Sequence, residues 1–250
     1  MSIQKEKRER NPLLRRPIVN QNIVDFMRER QKPIPGKLGE IVDEGRSRDV
    51  PVIPHETAVF LDFYLGQTTP KQVLEIGTAI GFSSSLMAKA IGESGHVTTI
   101  ERFDVMANHA KETYEKLGNQ EKITLLEGEA AEILKTLEAD TYDFVFMDSA
   151  KSKYIVFLPE ILRVMKKNAV LMIDDIFQAG DILKPVTEVV RNQRAIHRGL
   201  NKFFDFVLPH PELKSTILPL GDGVILIEKQ VDTVDLSTLQ ALDEKYRTAK

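Results

Sequence analysis

The chain has 250 residues, of which 42% are hydrophobic and 28% are charged, with a formal net charge of −3 at pH 7 and no cysteine. This composition is typical of one globular domain and gives no overall attraction to nucleic acid, so an RNA partner would need a local basic patch. The lack of cysteine excludes disulfides, thiolate metal sites and cysteine nucleophiles. The charged start MSIQKEKRER is unlike a signal peptide and no apolar run would span a bilayer, so we expect a cytoplasmic protein with no membrane partner.

The first fifty residues are highly charged and are interrupted by prolines and by Gly36. Two short amphipathic helices are predicted there from the apolar positions Ile18, Ile23, Val24, Met27, Leu38, Ile41 and Val42. We therefore expect a single domain with an N-terminal helical cap over 1–53, a catalytic core over 54–230 and a C-terminal tail over 231–250.

From residue 54 onward, predicted helices and apolar strands alternate. The first helix is PHETAVFLDFYLG, and the strands that follow it are QVLEIG, HVTTIE, KITLLEG, YDFVFMD and AVLMIDD. A helical stretch is predicted over 184–208, followed by a hairpin of STILPL and GVILIEK and by a last helix in DLSTLQALDEKY. This order predicts an α/β fold with seven mostly parallel strands and a C-terminal antiparallel hairpin, an arrangement that resembles the Rossmann-like fold of class I methyltransferases.

Ligands of open parallel sheets bind at the carboxyl ends of the strands, so the residues that end each strand carry the functional signal. The first strand ends in LEIGTAIGFS, where Gly77 and Gly81 frame a tight turn that lets a ligand approach the start of the next helix. The second strand ends at Glu101, at a spacing where an acid accepts the hydroxyls of a ribose. A nicotinamide dinucleotide is disfavoured because Ala79 replaces the middle glycine of its motif and Glu75 would repel a pyrophosphate.

The third strand ends in Gly128, Glu129 and Ala130, which open a helix. These residues fit the edge of an adenine ring, and they fit a simple capped turn equally well.

The fourth and fifth strands end in the carboxylates Asp148, Asp174 and Asp175. A single aspartate at a strand end is usually a helix cap, but three like charges at one edge of a sheet would raise one another's pKa. Oxygen ligands without nearby histidine or cysteine favour Mg²⁺, Mn²⁺ or Ca²⁺ over zinc. The sequence therefore predicts a divalent cation at this edge.

In order and spacing, LEIGTAIGFS, Glu101, MDSAK, MIDD and LPLGDG resemble the cation-dependent O-methyltransferases, which include catechol and caffeoyl-coenzyme A O-methyltransferases. The likeness covers about residues 50 to 230. VPVIP, LEIGTAIG and HPELKSTILPLGDG are most similar to the bacterial branch that contains tRNA 5-hydroxyuridine methyltransferases. Relatives with a helical cap often dimerise, so the resemblance also implies a homodimer.

The resemblance implies a role for each matching residue. Those of the S-adenosylmethionine site would be Ile53, Glu75, Gly77, Ser83, Glu101, Ala130 and Asp148. Mg²⁺, or another divalent cation such as Mn²⁺ or Ca²⁺, would be held by Asp148, Asp174 and Asp175, and Lys151 would act on the acceptor hydroxyl. Two positions depart from the family, which often has asparagine in place of Asp175 and aspartate in place of Glu129.

A metal that activates a hydroxyl favours acceptors with a second oxygen beside it. The base of 5-hydroxyuridine in tRNA meets this requirement, and so does a catechol or similar small phenol. Basic clusters that would meet tRNA phosphates are Lys5 to Arg10, Arg15, Arg16, Arg191, Arg194, Arg198 and Lys202. We expect methylation of tRNA first and of small phenols second, and the complete acidic set argues against a module that only binds the cofactor.

Overall fold

The computed structural model describes residues 20–47, 50 and 52–248. Ile18 and the basic clusters between Lys5 and Arg16 lie outside the described residues. The chain divides into two compact units, with the boundary between Lys32 and Pro33. The first contains the predicted amphipathic helix α1 (Gln21–Arg30), which begins after Asn20, whose side chain accepts a hydrogen bond from the backbone N–H of Asn22.

The second unit contains seven strands and the remaining helices. Its helices are α2 (Lys37–Ser47), α3 (His55–Thr68), α4 (Phe82–Ala90), α5 (Asp104–Leu117), α6 (Ala130–Thr136), α7 (Tyr154–Val164), α8 (Arg194–Val207) and α9 (Ser237–Thr248), with 3₁₀ turns at Lys151–Lys153, Gln178–Leu183 and Arg191–Gln193. Its strands are β1 (Gln72–Ile76), β2 (His96–Glu101), β3 (Ile123–Glu127), β4 (Tyr142–Met147), β5 (Met165–Ile173), β6 (Leu213–Leu218) and β7 (Val224–Lys229).

The strands form one sheet in the order β3-β2-β1-β4-β5-β7-β6, in which β7 runs antiparallel to both of its neighbours. This confirms the predicted α/β class and the C-terminal hairpin. Side chains alternate between two cores, so Val73 faces the layer of α2 to α5 whereas Leu74 faces the layer of α7 and α8. The parallel strands are therefore covered on both faces, as their continuous apolar sequences require.

Two boundaries differ from the sequence prediction. Strand β5 begins at Met165, four residues before the predicted AVLMIDD segment. Met165 pairs with Tyr142 of β4, and an irregularity that includes Lys166, Lys167 and Asn168 separates this pair from the rest of the register. Residues 184–190 are not helical, and the helix begins only at Arg194. Lys184 precedes Pro185, and a residue before proline is biased away from helical geometry.

Leu38, Ile41 and Val42 of α2 are buried in the same core as α3 to α5. None of the described helices combines the length and the apolar character needed to cross a membrane.

Candidate active site

The turn after β1 depends on glycine. Gly77 has a φ of 103°, and a β-carbon at this position would lie 2.0 Å from the carbonyl oxygen of Asp148. Gly81 also has positive φ, and a β-carbon there would contact Tyr114 and Ala110 of α5. Any side chain at these positions would therefore push β1 away from β4 or α4 away from α5.

Glu101 holds this turn at the end of β2. One carboxylate oxygen accepts a hydrogen bond of 2.9 Å from the backbone N–H of Ala79, and the other accepts the N–H groups of Arg102 and Phe103. A carboxylate has about four acceptor positions, so Glu101 retains capacity for ribose hydroxyls. The predicted acid is thus close to the glycine turn.

A cavity of about 420 Å³ opens between the ends of β1, β2, β3 and β4. Of the residues predicted to bind the cofactor, those in its wall are Gly77, Glu101, Ala130 and Asp148. Apolar side chains such as Met106 and Phe157 complete the wall. An elongated ligand with one ribose and one flat ring would fit this combination of strand-end carboxylates with apolar surfaces.

Glu75 lies behind the cavity wall rather than in it. It points to the same side of β1 as Val73, is fully buried, and accepts hydrogen bonds of 2.5 Å from Ser83 and from Thr99. Burial raises the pKa of Glu75 to about 7. Ser83 does line a cavity, so the structure brings only the serine of this pair to the surface where a ligand would bind.

The three predicted metal ligands lie on neighbouring strand ends. Burial, followed by the charge of Asp148, raises the pKa of Asp174 to about 8, and burial together with the charge of Asp175 raises the pKa of Asp148 to about 6. Asp174 is 2% exposed and accepts a hydrogen bond of 2.8 Å from the backbone N–H of Asp175. Their mutual repulsion indicates that these carboxyl groups face a common region, in which the nearby charge of Lys151 offsets only part of the effect.

Lys151 forms an ion pair with Asp175. It stands on the 3₁₀ turn that follows β4, three residues after Asp148, and is half-buried. Asp175 has a φ of 66°, a left-handed conformation that turns the chain as it leaves β5. The predicted base and the predicted metal ligands are therefore brought together.

Within the described part of the chain, no three acidic or histidine side chains are already arranged as a closed metal site. The donor set nevertheless fits a hard divalent cation, since it consists of three carboxylates, and burial and nearby carboxylate charge raise the pKa of Asp148 and of Asp174. A cation bound there would take over the neutralising role that Lys151 now has for Asp175.

One acidic residue near this site was missed by the sequence analysis. Asp222, in the turn between β6 and β7, accepts the backbone N–H of Ala179 with both carboxylate oxygens, at 2.9 and 2.8 Å. Burial and the charge of Asp175 raise the pKa of Asp222. The only signal in the sequence was LPLGDG, where the glycines on either side of Asp222 indicated a hairpin.

A second cavity, of about 430 Å³, adjoins the first and has Gly77, Ala79, Asp148 and Ser149 in common with it. Its wall also contains Ile53, Pro54, Ser83, Lys151, Asp174 and Asp175. Ile53, predicted to contact the cofactor, thus lines the cavity that holds Lys151. Two cavities that meet at the carboxylates are suited to bringing two reactants together.

Known proteins match this chain over most of its length. The O-methyltransferase family profile matches residues 40–230. A protein of Dictyostelium discoideum named probable caffeoyl-CoA O-methyltransferase 1 is 30% identical over 197 residues, covering 77% of this chain and 84% of the relative. Catechol O-methyltransferase of Mycobacterium tuberculosis is 31% identical over 124 residues, 50% of this chain and 56% of the relative.

Solved structures share the fold. The methyltransferase PaMTH1 of Podospora anserina, crystallised with S-adenosylhomocysteine, has a TM-score of 0.76 and 24% identity over 84% of this chain and 95% of its own. TomG of Streptomyces achromogenes, in complex with S-adenosylmethionine, has a TM-score of 0.73 and 22% identity over 85% of this chain and 97% of its own.

Proposed function

The chain belongs to the O-methyltransferase family and is an S-adenosylmethionine-dependent enzyme; we propose that it uses a divalent cation and methylates 5-hydroxyuridine in tRNA to 5-methoxyuridine. The observation that carries this proposal is the meeting of the two cavities at Asp148, with Lys151 and the pair Asp174 and Asp175 on the second cavity. The first cavity would hold the methyl donor and the second the acceptor.

The cofactor would be held by residues of the first cavity and its border. Glu101 would accept ribose hydroxyls, Ala130 would pack along the adenine, and the Gly77 backbone would approach the methionine end. Ser83 would contact that end directly, whereas the buried Glu75 would add negative charge behind it. This arrangement suits a sulfonium ligand that also carries an ammonium group.

Asp148, Asp174 and Asp175 would hold the cation, which when bound lowers the pKa of a hydroxyl and orients two adjacent acceptor oxygens. The chemistry of the donor set supports Mg²⁺, with Mn²⁺ and Ca²⁺ as related ions. Asp175 in place of the family's frequent asparagine adds a negative charge to this set.

Lys151 lies beside Asp175 in the wall of the second cavity and would act there on the acceptor hydroxyl. The acceptor oxygen forms its bond to the methyl carbon while the carbon–sulfur bond breaks and sulfur keeps the electron pair. If Lys151 is a free amine, it accepts the hydroxyl proton. If Lys151 is an ammonium, it stabilises the oxyanion while solvent takes the proton. In both cases its position at the acceptor cavity is what the reaction needs.

For the acceptor, 5-hydroxyuridine offers an oxygen beside the C4 carbonyl, which satisfies the requirement for two adjacent oxygens. The likeness of VPVIP and LPLGDG to the tRNA-modifying branch supports this acceptor. An enzyme that methylates tRNA would act in the cytoplasm. A catechol or phenolic thioester is the second candidate, because relatives named caffeoyl-CoA and catechol O-methyltransferase match the chain at 30% and 31% identity.

The test is transfer of labelled methyl groups from S-adenosylmethionine to two sets of acceptors: tRNA that contains unmethylated 5-hydroxyuridine, and a panel of catechols and caffeoyl-coenzyme A. We expect label in tRNA, recovered as 5-methoxyuridine after digestion. The Asp148→Ala variant is the control for contaminating activity. Label that enters only the small phenols would refute the tRNA assignment and leave the second candidate.

A further inference from the structure

Three exposed cations close to the candidate site have no ion pair with any described residue. They are Lys153, Arg191 and Arg198. Most other basic side chains of this region are engaged: Lys202 pairs with Asp243, and Arg194 donates to the backbone carbonyls of Val189 and Thr187. The cluster predicted from sequence to bind phosphates on this segment consists of Arg191, Arg194, Arg198 and Lys202. Of these four side chains, Arg191 and Arg198 have no hydrogen bond or ion pair with the described residues.

The segments that carry these cations pack directly on one another. A β-carbon added at Gly199 would lie 3.2 Å from the carbonyl oxygen of Ser152, so the backbone of α8 lies against the turn of Lys151 and Lys153. Arg198 therefore projects from a helix that contacts the turn carrying Lys151. Lys153, on the same turn, lines the cofactor cavity.

The turn that begins at Arg191 is linked to the segment that follows β5. The side-chain amide of Gln178 donates to the backbone and side-chain oxygens of Gln193, at 3.3 and 3.1 Å. Gln178 follows the end of β5 by a few residues and adjoins Ala179, which Asp222 holds. The 3₁₀ turn that begins at Arg191 is thereby linked to the connection that follows Asp174 and Asp175.

Apolar side chains are exposed on the same connecting segment. Leu183 is 86% exposed and Val190 is 65% exposed. Unpaired cations interleaved with exposed apolar groups suit a polyanion that also has apolar faces, as single-stranded or looped RNA does.

We propose that Lys153, Arg191 and Arg198 form a phosphate-binding surface that holds the tRNA backbone on either side of the uridine in the acceptor cavity. This inference rests on the proposed function. The cations would fix the register of the RNA without reading its sequence. Specificity for the modified base would remain with the acceptor cavity.

The test measures tRNA binding and tRNA methylation separately in the Arg191→Ala/Arg198→Ala double variant. The matched control is Lys89→Ala/Lys167→Ala, which removes the same charge at two exposed lysines that also have no described ion pair. Lys167 lies near the start of β5, at the opposite end of this strand from Asp174. Binding is followed by fluorescence anisotropy of labelled tRNA over a series of salt concentrations.

We expect the arginine variant to bind tRNA about tenfold more weakly and to reduce the slope of log affinity against log salt by about 1 to 2, because each phosphate contact contributes about one. The control should keep the wild-type slope. A wild type that binds tRNA with this arginine dependence but methylates only phenols would refute the acceptor and uphold the surface.

Equal loss of affinity in both double variants, or no tRNA binding by the wild type, would overturn the surface. Coenzyme A serves as a further probe of phosphate binding. If the arginine variant lost affinity for coenzyme A and kept it for tRNA, the surface would serve a small phosphorylated acceptor and the inference would be wrong.

Discussion

At the scale of single residues, the site concentrates carboxyl groups whose charged forms are unfavourable in the ligand-free protein. Burial raises the pKa of Glu75 to about 7 and, with the charge of Asp148, that of Asp174 to about 8. Each pKa unit corresponds to about 1.4 kcal/mol of folding free energy. Stability is therefore given up at the positions where a cationic ligand and a metal would restore it.

Glu75→Gln tests this trade between stability and binding. The folded-state pKa of Glu75 is raised from 4.5 to about 7. The contribution of Glu75 to the free energy of unfolding is therefore fully present below pH 4.5 and is lost as the pH rises through 7. We expect the ligand-free variant to unfold like the wild type at pH 5 and to be about 1–3 kcal/mol more stable at pH 8. Denaturant unfolding at both pH values measures this.

The same variant should bind S-adenosylhomocysteine about tenfold more weakly, by calorimetry, because the charge behind the methionine end is gone. Glu127→Gln is the control: Glu127 pairs in register with Glu101 across β2 and β3, and it forms an ion pair with Lys111 on the surface. A Glu75→Gln protein no more stable than the wild type at pH 8 would contradict the assigned cost of the buried charge.

Lys151→Ala should lower kcat by about 10²–10⁴, the usual contribution of a positioned proton acceptor or electrostatic partner. Binding of S-adenosylhomocysteine should change little, since Lys151 lies on the acceptor cavity and not on the cofactor cavity. Ser152→Ala, on the same turn, is the matched control. Near-normal turnover of Lys151→Ala with both substrates saturating would exclude a catalytic role.

At the scale of elements, the strand ends were predictable and the connection after β5 was not. The strands that end in Glu101, Asp148 and Asp174 can be predicted from short, mainly apolar sequences, because parallel strands are buried on both faces. The segment after Asp175 is held by Asp222, which is 43 residues from Ala179 in sequence. Local sequence patterns cannot reveal such a distant contact.

This connection contains three successive residues with positive φ, Gln178, Ala179 and Gly180. We predict that Asp222→Ala will release it, with the Ala179 amide losing protection from hydrogen exchange and kcat falling about tenfold as Asp175 loses its position. A hydrogen bond to a charged acceptor is worth about 1.5–3 kcal/mol. Asp222→Asn retains an acceptor oxygen and should preserve most of both properties.

The two variants separate positioning from charge. If Asp222→Asn were as impaired as Asp222→Ala while the Ala179 amide stayed protected, the charge of Asp222 would be needed by the ligands themselves. Its role in holding the connection would then be secondary.

At the scale of the whole molecule, the sheet and its edge of carboxylates followed from the sequence, whereas the depth of each residue did not. The family resemblance implied that Glu75 and Ser83 both contact the ligand, yet the alternation of β1 buries Glu75 behind Ser83. Likewise the charges of Arg194 and Lys202 were visible in sequence, but their internal partners were not. Exposure depends on packing between elements distant in sequence.

The homodimer implied by the family resemblance stays a prediction at this scale. Light scattering of the purified chain should give twice its mass of 28.3 kDa. A mass of one chain over the micromolar range would contradict the homodimer.

The proposed role of the three aspartates is to hold a cation needed for methyl transfer. Its most direct measurement is the methyl-transfer rate after chelation of divalent cations and again after their return, with S-adenosylhomocysteine binding followed in the same samples. We predict that chelation lowers transfer at least about 100-fold, that cofactor binding persists, and that Mg²⁺ or Mn²⁺ restores the rate. Unchanged turnover without a divalent cation would contradict the claim.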